Sequence, residues 1–201
     1  MIDMAAYAKL IRQHVPDEDI FGIVDAGSHD GLDCLALALE FPWAHALAIE
    51  GDPVAMDVPM LKAHGLEVAH AVLADTVREV IWYRQTCAPK ISGIYDRQLN
   101  APVAAFNVMT QRLEDVCYAC NVPRPTILKV DCEGATLDVL MGLGDLIHEV
   151  RAMHLETEEV AYFAGMRFFD KDVTAWCLER GFREVAREGD GGQFDVVWVK
   201  A

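Results

Sequence analysis

Ile20-Phe21-Gly22-Ile23-Val24-Asp25-Ala26-Gly27-Ser28-His29-Asp30-Gly31-Leu32 is the stretch that decides the fold. Ile20 to Asp25 is a short apolar run ending in an acid. Two glycines follow, and Leu32 to Phe41 then reads as a helix stopped by Pro42. A buried strand that passes through a glycine turn into a helix is the opening unit of a parallel α/β sheet. The same rhythm repeats downstream. Ala46 to Glu50 predicts a second strand, Pro53 to His64 a helix closed by Gly65, and Leu66 to Leu73 a third strand. Upstream, Met1 to Val15 predicts an amphipathic helix with Ala5, Leu10, Ile11 and Val15 as its apolar positions, ended by Pro16 and Asp17-Glu18-Asp19.

The rhythm breaks between Val77 and Met109. Val77 to Tyr83 reads as a strand, but Pro89, Ser92, Gly93 and Pro102 follow, so residues 77–109 are expected to form an inserted antiparallel hairpin or cover. The α/β pattern resumes at Arg112. Thr126 to Asp131 predicts a central strand, Ala135 to Leu146 a helix and Arg151 to Thr157 a further strand. Lys171 to Arg180 predicts a helix capped by Gly181. Phe182–Ala186 and Phe194–Lys200 are expected to pair as antiparallel closing strands around Gly189-Asp190-Gly191-Gly192. Residues 1–201 therefore read as one domain, with 1–16 as an N-terminal helix.

Ligands of such sheets bind at the carboxyl ends of the strands. In the turn after the first strand, Gly27 and Gly31 permit positive φ and close approach of a ligand. A dinucleotide fingerprint needs bare glycine two and five residues after Gly27; His29 and Leu32 stand there instead. S-adenosylmethionine carries no phosphate and tolerates this looser turn, and Asp25 can face its cationic amino end. Glu50 ends the second strand, where a carboxylate can accept both ribose hydroxyls of an adenosyl group. Asp75, after the third strand, stands where an adenine amine could donate to it. The expected cofactor-binding residues are Asp25, Ala26, Gly27, Ser28, His29, Asp30, Gly31, Glu50, Gly51 and Asp75.

The third motif is Leu128-Lys129-Val130-Asp131-Cys132-Glu133-Gly134-Ala135, at the end of the central strand. Alternate strand residues share a face, so Lys129, Asp131 and Glu133 can project together. Asp131 is the first candidate for orienting or deprotonating an acceptor hydroxyl and Glu133 the second, although Glu133 could equally serve a helix N-terminus. His29 is either a substrate contact or base, or a surface turn residue.

These three blocks, in this order, resemble the FkbM family of methyltransferases. The family's Asp-x-Gly-Ala-x-x-Gly turn corresponds to Asp25–Gly31, with Ser28 in place of Ala. Its acidic strand end followed by Pro corresponds to Glu50-Gly51-Asp52-Pro53, with two residues intervening. Its Lys-x-Asp-x-Glu-Gly-Ala block corresponds to Lys129–Ala135, and Ala152-Met153-His154-Leu155-Glu156 resembles its next strand. The resemblance implies a Rossmann-like class I methyltransferase with a mostly parallel seven-stranded sheet, helices on both faces and an antiparallel closing strand. It implies S-adenosylmethionine as cofactor, S-adenosylhomocysteine as product, and O-methylation of a sugar, glycan or natural-product hydroxyl. The segment Arg84 to Phe106 and Tyr162-Phe163-Ala164-Gly165 are expected to select the substrate.

Composition narrows the partners. There are 17 basic and 32 acidic residues, a formal net charge of −15, which disfavours nucleic acid and anionic lipid. No apolar run is long enough to span a membrane, and the N-terminus lacks the pattern of a signal peptide. Six cysteines without paired spacing fit reduced thiols, so a cytoplasmic location is expected. The lone Cys117-Tyr118-Ala119-Cys120 reads as one helix face, and Trp43, Trp82, Trp176 and Trp198 as core or core-edge residues. A divalent cation held by Asp131, Glu133 and Glu156 is chemically admissible, but an acidic rim facing a cationic cofactor accounts for the same residues, and no metal is assigned. A homo-oligomer through Phe194–Lys200 is conceivable if that strand lies at an edge. The alternative functions are a nucleotide-dependent oxidoreductase and a non-catalytic binding protein on the same fold.

Overall fold

The computed structural model describes residues 3–97 and 103–201. Met1 and Ile2 of the predicted first helix, and 98–102 of the predicted recognition segment with Pro102, lie outside the described residues. In chain order the elements are α1 (Met4–Arg12), β1 (Gly22–Ala26), α2 (Leu32–Glu40), β2 (His45–Glu50), α3 (Val58–Ala63), β3 (Glu67–His70), β4 (Val72–Leu73), β5 (Glu79–Gln85), β6 (Val103–Gln111), α4 (Leu113–Ala119), β7 (Ile127–Val130), α5 (Thr136–Met141), β8 (Ala152–Glu158), α6 (Asp170–Glu179), β9 (Phe182–Asp190) and β10 (Gln193–Lys200).

Seven strands form the main sheet in the order β3-β2-β1-β7-β8-β10-β9. The pairs β2–β3, β1–β2, β1–β7 and β7–β8 are parallel, while β10 is antiparallel to both of its neighbours. β1 is buried along its whole length, and its near-continuous apolar run is what a parallel strand covered on both faces requires. Ile23, Ile127, Ala152 and Val197 pack under α1, α2 and α3 on one face. Val24, Val130, Leu155 and Val196 pack under α4, α5 and α6 on the other. The chain leaves β1 toward β2 on one side and returns through β7 on the other. The crevice at the carboxyl ends of β1 and β7 is therefore the switch point where such sheets bind ligands.

Several local expectations are corrected. The buried face of α1 is Met4, Tyr7, Ala8 and Ile11; Ala5 is exposed and Leu10 only half-buried. Helix Pro53–His64 shrinks to α3, because Asp57 caps the N–H of Met60 and Pro59 is tolerated only in a first turn. The predicted third strand divides. β3 stays in the main sheet, Ala71 donates to the Glu50 carbonyl, and β4 then leaves to pair in parallel with β6. β6 also pairs antiparallel with β5, so a separate three-stranded sheet, β4-β6-β5, lies beside the crevice. Helix Ala135–Leu146 is interrupted at Gly142 and continues as a 3-10 turn over Gly144–His148.

β10 is not an edge strand. β8 and β9 occupy both of its ladders, so an oligomer cannot form by main-chain pairing to Phe194–Lys200; the edges are β3 and β9. Trp82, Trp176 and Trp198 are buried, whereas Trp43 is half exposed and packs its ring edge-on against Phe41. Among the described residues no helix is long and apolar enough to cross a membrane.

Candidate active site

The glycine turn is built by backbone approach. The N–H groups of Gly27 and Ser28 both donate to the Ile49 carbonyl, and Asp131 donates from its N–H to the Ala26 carbonyl at 2.9 Å. A Cβ on Gly27 would lie 2.0 Å from the Asp131 carbonyl oxygen, and φ there is +80°. Gly27 is thus required where the loops after β1 and β7 cross. Among the described residues three without that freedom also take positive φ: Asn121 at 56°, after α4, and, on the loops that cross here, His29 at 48° and Glu133 at 32°. His29 and Glu133 stand one on each crossing loop, and backbone strain of this kind collects at functional sites.

Glu50 points into the crevice from the end of β2. Its Oε2 accepts the His29 N–H and its Oε1 the Asp52 N–H, each at 2.8 Å. Burial pushes its pKa up, and those two N–H groups oppose the push. Gly51 follows, and a Cβ there would meet the indole of Trp82 at 2.6 Å. Trp82, on β5, therefore roofs a cleft floored by Gly27, Glu50 and Gly51 and closed on the far side by Asp131 and Cys132. Val72, Leu73 and Ile94 give it an apolar wall. The Trp82 indole N–H, buried in this roof, has no hydrogen-bond partner among the described residues. Arg84 ties the roof down, its Nε 2.7 Å from the buried Asp52 carboxylate.

The other residues of the predicted cofactor set fall differently. Asp25 is turned into the sheet rather than exposed at the crevice. It is fully buried, accepts from the Ser28 hydroxyl at 2.6 Å, and lies 3.5 Å from the Lys129 ammonium. Register explains this, because Asp25, Lys129 and His154 are aligned across β1, β7 and β8. The Asp30 carboxylate accepts the Leu32 N–H, a local turn bond, and Gly31 caps α2. Ala26 is buried in the core. Asp75 is likewise held elsewhere, between Arg78 and Arg167, which lower its pKa despite partial burial. Arg167 also reaches Asp138 at 2.8 Å, and Tyr95 donates to the same carboxylate at 2.8 Å. This network, with Asp75 in it, ties the cover to α5.

Asp131 and Glu133 do meet, and Glu156 joins them: carboxylate oxygens of all three lie within 4.8 Å of one another. Burial pushes Glu133 up to about 8, with Asp131 adding to the push and Arg97 opposing it from 3.4 Å. Burial and the neighbouring carboxylates raise Glu156 further. Glu158 accepts the Gly134 N–H at 3.0 Å and is pushed by burial to about 7. At neutral pH this corner therefore holds protons on some of its carboxyl groups and can donate as well as accept. Lys129 donates to Asp131 at 3.1 Å and also lies 3.3 Å from Asp33. Burial works to lower the Lys129 pKa, but Asp25, Asp131 and Asp33 outweigh it and hold the ammonium charged.

Sequence reasoning missed Glu158, Arg97, Tyr95 and the roofing role of Trp82. Glu158 had a signal, since it shares a face with His154 and Glu156 one residue beyond the predicted strand end. The predicted recognition segments do touch: Ala164 donates to the Asp96 carbonyl, and Arg97 lies over the rings of Tyr162 and Phe163.

Comparison with known proteins agrees with this geometry. The profile of the Methyltransferase FkbM domain matches residues 25–184. No curated protein matches the chain. Among solved structures, a precorrin-6y C5,15-methyltransferase from Geobacter metallireducens GS-15 superposes with a TM-score of 0.56 at 11% identity, over 98% of this chain and 87% of that one. A methyltransferase FkbM from Methylobacillus flagellatus KT gives 0.56 at 16% identity, over 90% of this chain and 44% of that one. The N-terminal domain of EvdMO1, solved with S-adenosylhomocysteine bound, gives 0.53 at 15% identity, over 100% of this chain and 81% of that one. At these identities the superpositions speak for the shared sheet, and the family rests on the profile match.

Proposed function

This chain belongs to the FkbM family of methyltransferases, and we propose that it is an S-adenosylmethionine-dependent O-methyltransferase acting on a hydroxyl of a small sugar, glycan or natural product. We read residues 1–201 as one catalytic domain, with 77–109 as the cover of its cleft. The observation that carries the reading is the crossing at Gly27 and Asp131, which sets the Glu50 cleft directly beside the Asp131 carboxylate. The cleft residues fit an adenosyl cofactor. Glu50 is a buried acceptor for ribose hydroxyls, Val72, Leu73 and Ile94 provide an apolar wall, and the orphaned indole N–H of Trp82 is a donor for a ring nitrogen. The related fold of EvdMO1 was solved with the demethylated cofactor.

When bound, the sulfonium cofactor supplies a methyl group that is already activated, so positioning carries much of the catalytic burden. Asp131, at the end of β7, accepts the proton of the acceptor hydroxyl as its oxygen bonds to the methyl carbon. The cofactor, if bound, would supply that methyl carbon and retain the electron pair of its carbon–sulfur bond as the neutral thioether. Lys129 holds Asp131 in place through its 3.1 Å bond. Glu133, protonated near neutral pH, donates to a neighbouring substrate oxygen. Arg97, Tyr162 and Phe163 form the variable wall that selects the acceptor.

The test uses tritiated S-adenosylmethionine and a panel of hydroxylated small molecules. On the acceptor so found, Asp131→Asn is expected to lower kcat by about 100-fold, the usual scale for a positioned base, while cofactor affinity stays within about threefold. Undiminished turnover by Asp131→Asn overturns the assignment.

A further inference from the structure

β7 and β8 run parallel and pair Lys129 with His154 and Val130 with Leu155. The next residues along are Asp131 and Glu156, so the strand register carries these two side chains to one point at the mouth of the crevice. β10, on the other side of β8, sets Asp195 opposite Glu156. Glu133 arrives from the loop after β7, and carboxyl oxygens of Asp131, Glu133 and Glu156 then lie within 4.8 Å of one another. The Thr136 hydroxyl donates to the Glu156 carbonyl at 2.6 Å, which pins β8 to the start of α5 at this level. Glu156 cannot draw back from its neighbours without breaking that bond.

Carboxylates this close, and withdrawn from bulk water, cannot all be ionised. The cations decide where the proton stays. Lys129 bonds Asp131 at 3.1 Å, and Arg97 lies 3.4 Å from Glu133. The charges that bear most on Glu156 are those of other carboxylates. Burial, then Asp131, Glu133, Glu158 and Asp195, push it up to about 10. Glu158 is already bonded to the Gly134 N–H, and the His154 Nε2 lies 3.0 Å from Asp195. The Glu156 Oε1 is buried and has no hydrogen-bond partner among the described residues. An ionised carboxylate in that position carries an uncompensated desolvation cost. A carboxyl O–H beside a carboxylate has its partner at hand.

Resting on the methyltransferase reading above, the geometry points to Glu156 as a positioning residue for methyl transfer: as the neutral acid of the three, it donates its O–H to the Asp131 carboxylate. Asp131 is then held from two sides, by the Lys129 ammonium and by this O–H, and turns its remaining lone pairs to the acceptor hydroxyl. Donors on both sides also favour the anionic form of a carboxylate, the form that a base needs. Glu156 keeps its own proton throughout, and the acceptor proton goes to Asp131.

Two measurements on the full chain test this. In protein labelled with carbon-13 at the glutamate side-chain carboxyls, the resonance lost in Glu156→Gln is expected to stay at its protonated position from pH 5 to pH 8. The second measurement is turnover of the acceptor found with tritiated S-adenosylmethionine. Glu156→Gln, whose amide still donates, is expected to keep kcat within about threefold. Glu156→Leu fills the same space without a donor. It is expected to lose about 10- to 100-fold in kcat, the scale of one hydrogen bond to a charged group, while KM and S-adenosylhomocysteine affinity stay within about threefold. The acid limb of the kcat profile moves to higher pH in Glu156→Leu and stays in place in Glu156→Gln, a split that lost packing does not produce. Titration of the Glu156 resonance in the ordinary carboxylate range, full turnover by Glu156→Leu, or a Glu156→Gln as impaired as Glu156→Leu overturns the assignment. The titration needs no acceptor, so it decides the place of the proton whatever the panel yields. Failure of the parent chain to bind S-adenosylhomocysteine overturns the methyltransferase reading instead, so the two failures are told apart.

Discussion

Replacing Glu158 by Gln should stabilise the protein, and only above mildly acidic pH. Glu158 is 2% exposed, and its Oε1 accepts the Gly134 N–H at 3.0 Å, a bond that a glutamine oxygen can keep. Burial pushes its carboxyl from 4.5 to about 7; the Gly134 N–H opposes this, Asp131 adds to it, and Arg97 opposes it. The folded chain therefore holds this proton more tightly than the unfolded chain. Between pH 4.5 and 7 the native state binds more protons than the unfolded one, so stability falls as pH rises, and above 7 the loss is complete. A shift of this size is about 3 kcal/mol, since one pKa unit corresponds to about 1.4 kcal/mol. An uncharged glutamine amide at this position carries no such penalty. Glu158→Gln should equal the parent near pH 4.5 and exceed it by up to about 3 kcal/mol at pH 8, roughly 6 to 12 °C in Tm for a chain of this length. Thermal melts followed by circular dichroism at pH 5, 6, 7 and 8, without cofactor, would measure it. An offset that is the same at every pH, or a variant less stable than the parent at pH 8, refutes the reasoning.

Other substitutions separate the structural from the ligand-binding acids. Lys129→Met leaves the fully buried Asp25 without its cation and should cost about 3 to 5 kcal/mol in denaturant unfolding, with Asp25→Asn added in the same chain restoring most of it. Glu50→Ala should weaken S-adenosylmethionine binding about 30-fold by calorimetry, the scale of one lost charged hydrogen bond of about 2 kcal/mol. Gly27→Ala forces a Cβ against the Asp131 carbonyl and should destabilise by more than about 3 kcal/mol in the same unfolding assay.

The parts of the fold legible in the sequence are those fixed by local chemistry and burial. Val24-Asp25-Ala26-Gly27 announces a buried strand entering a turn because glycine and the strand's apolar run act within a few residues. Lys129 to Ala135 announces a second loop for the same reason. What stayed hidden depends on partners far along the chain. Leu66–Leu73 breaks because β6, more than thirty residues on, offers β4 a ladder that the main sheet does not. Phe194–Lys200 has the look of a closing strand, but its inner place is set by β9 folding back outside it. Asp25 and Asp75 carry the right charge at the right strand ends, yet Lys129 takes one and Arg78 with Arg167 the other. Sequence spacing locates an acid; only the folded neighbours decide whether it faces a ligand. Glu133 is the reverse case. Its place in the Lys129–Ala135 block was readable, but its strained φ, its Arg97 partner and its raised pKa arise from the loop crossing at Gly27.

The most direct test of the central claim is calorimetric titration of the purified chain with S-adenosylmethionine and, separately, with NAD. The Glu50 cleft and the loop that replaces a dinucleotide turn with His29 and Leu32 predict saturable binding of the sulfonium cofactor at one site per chain and no binding of NAD. Heat of binding from NAD, or none from S-adenosylmethionine, contradicts the account.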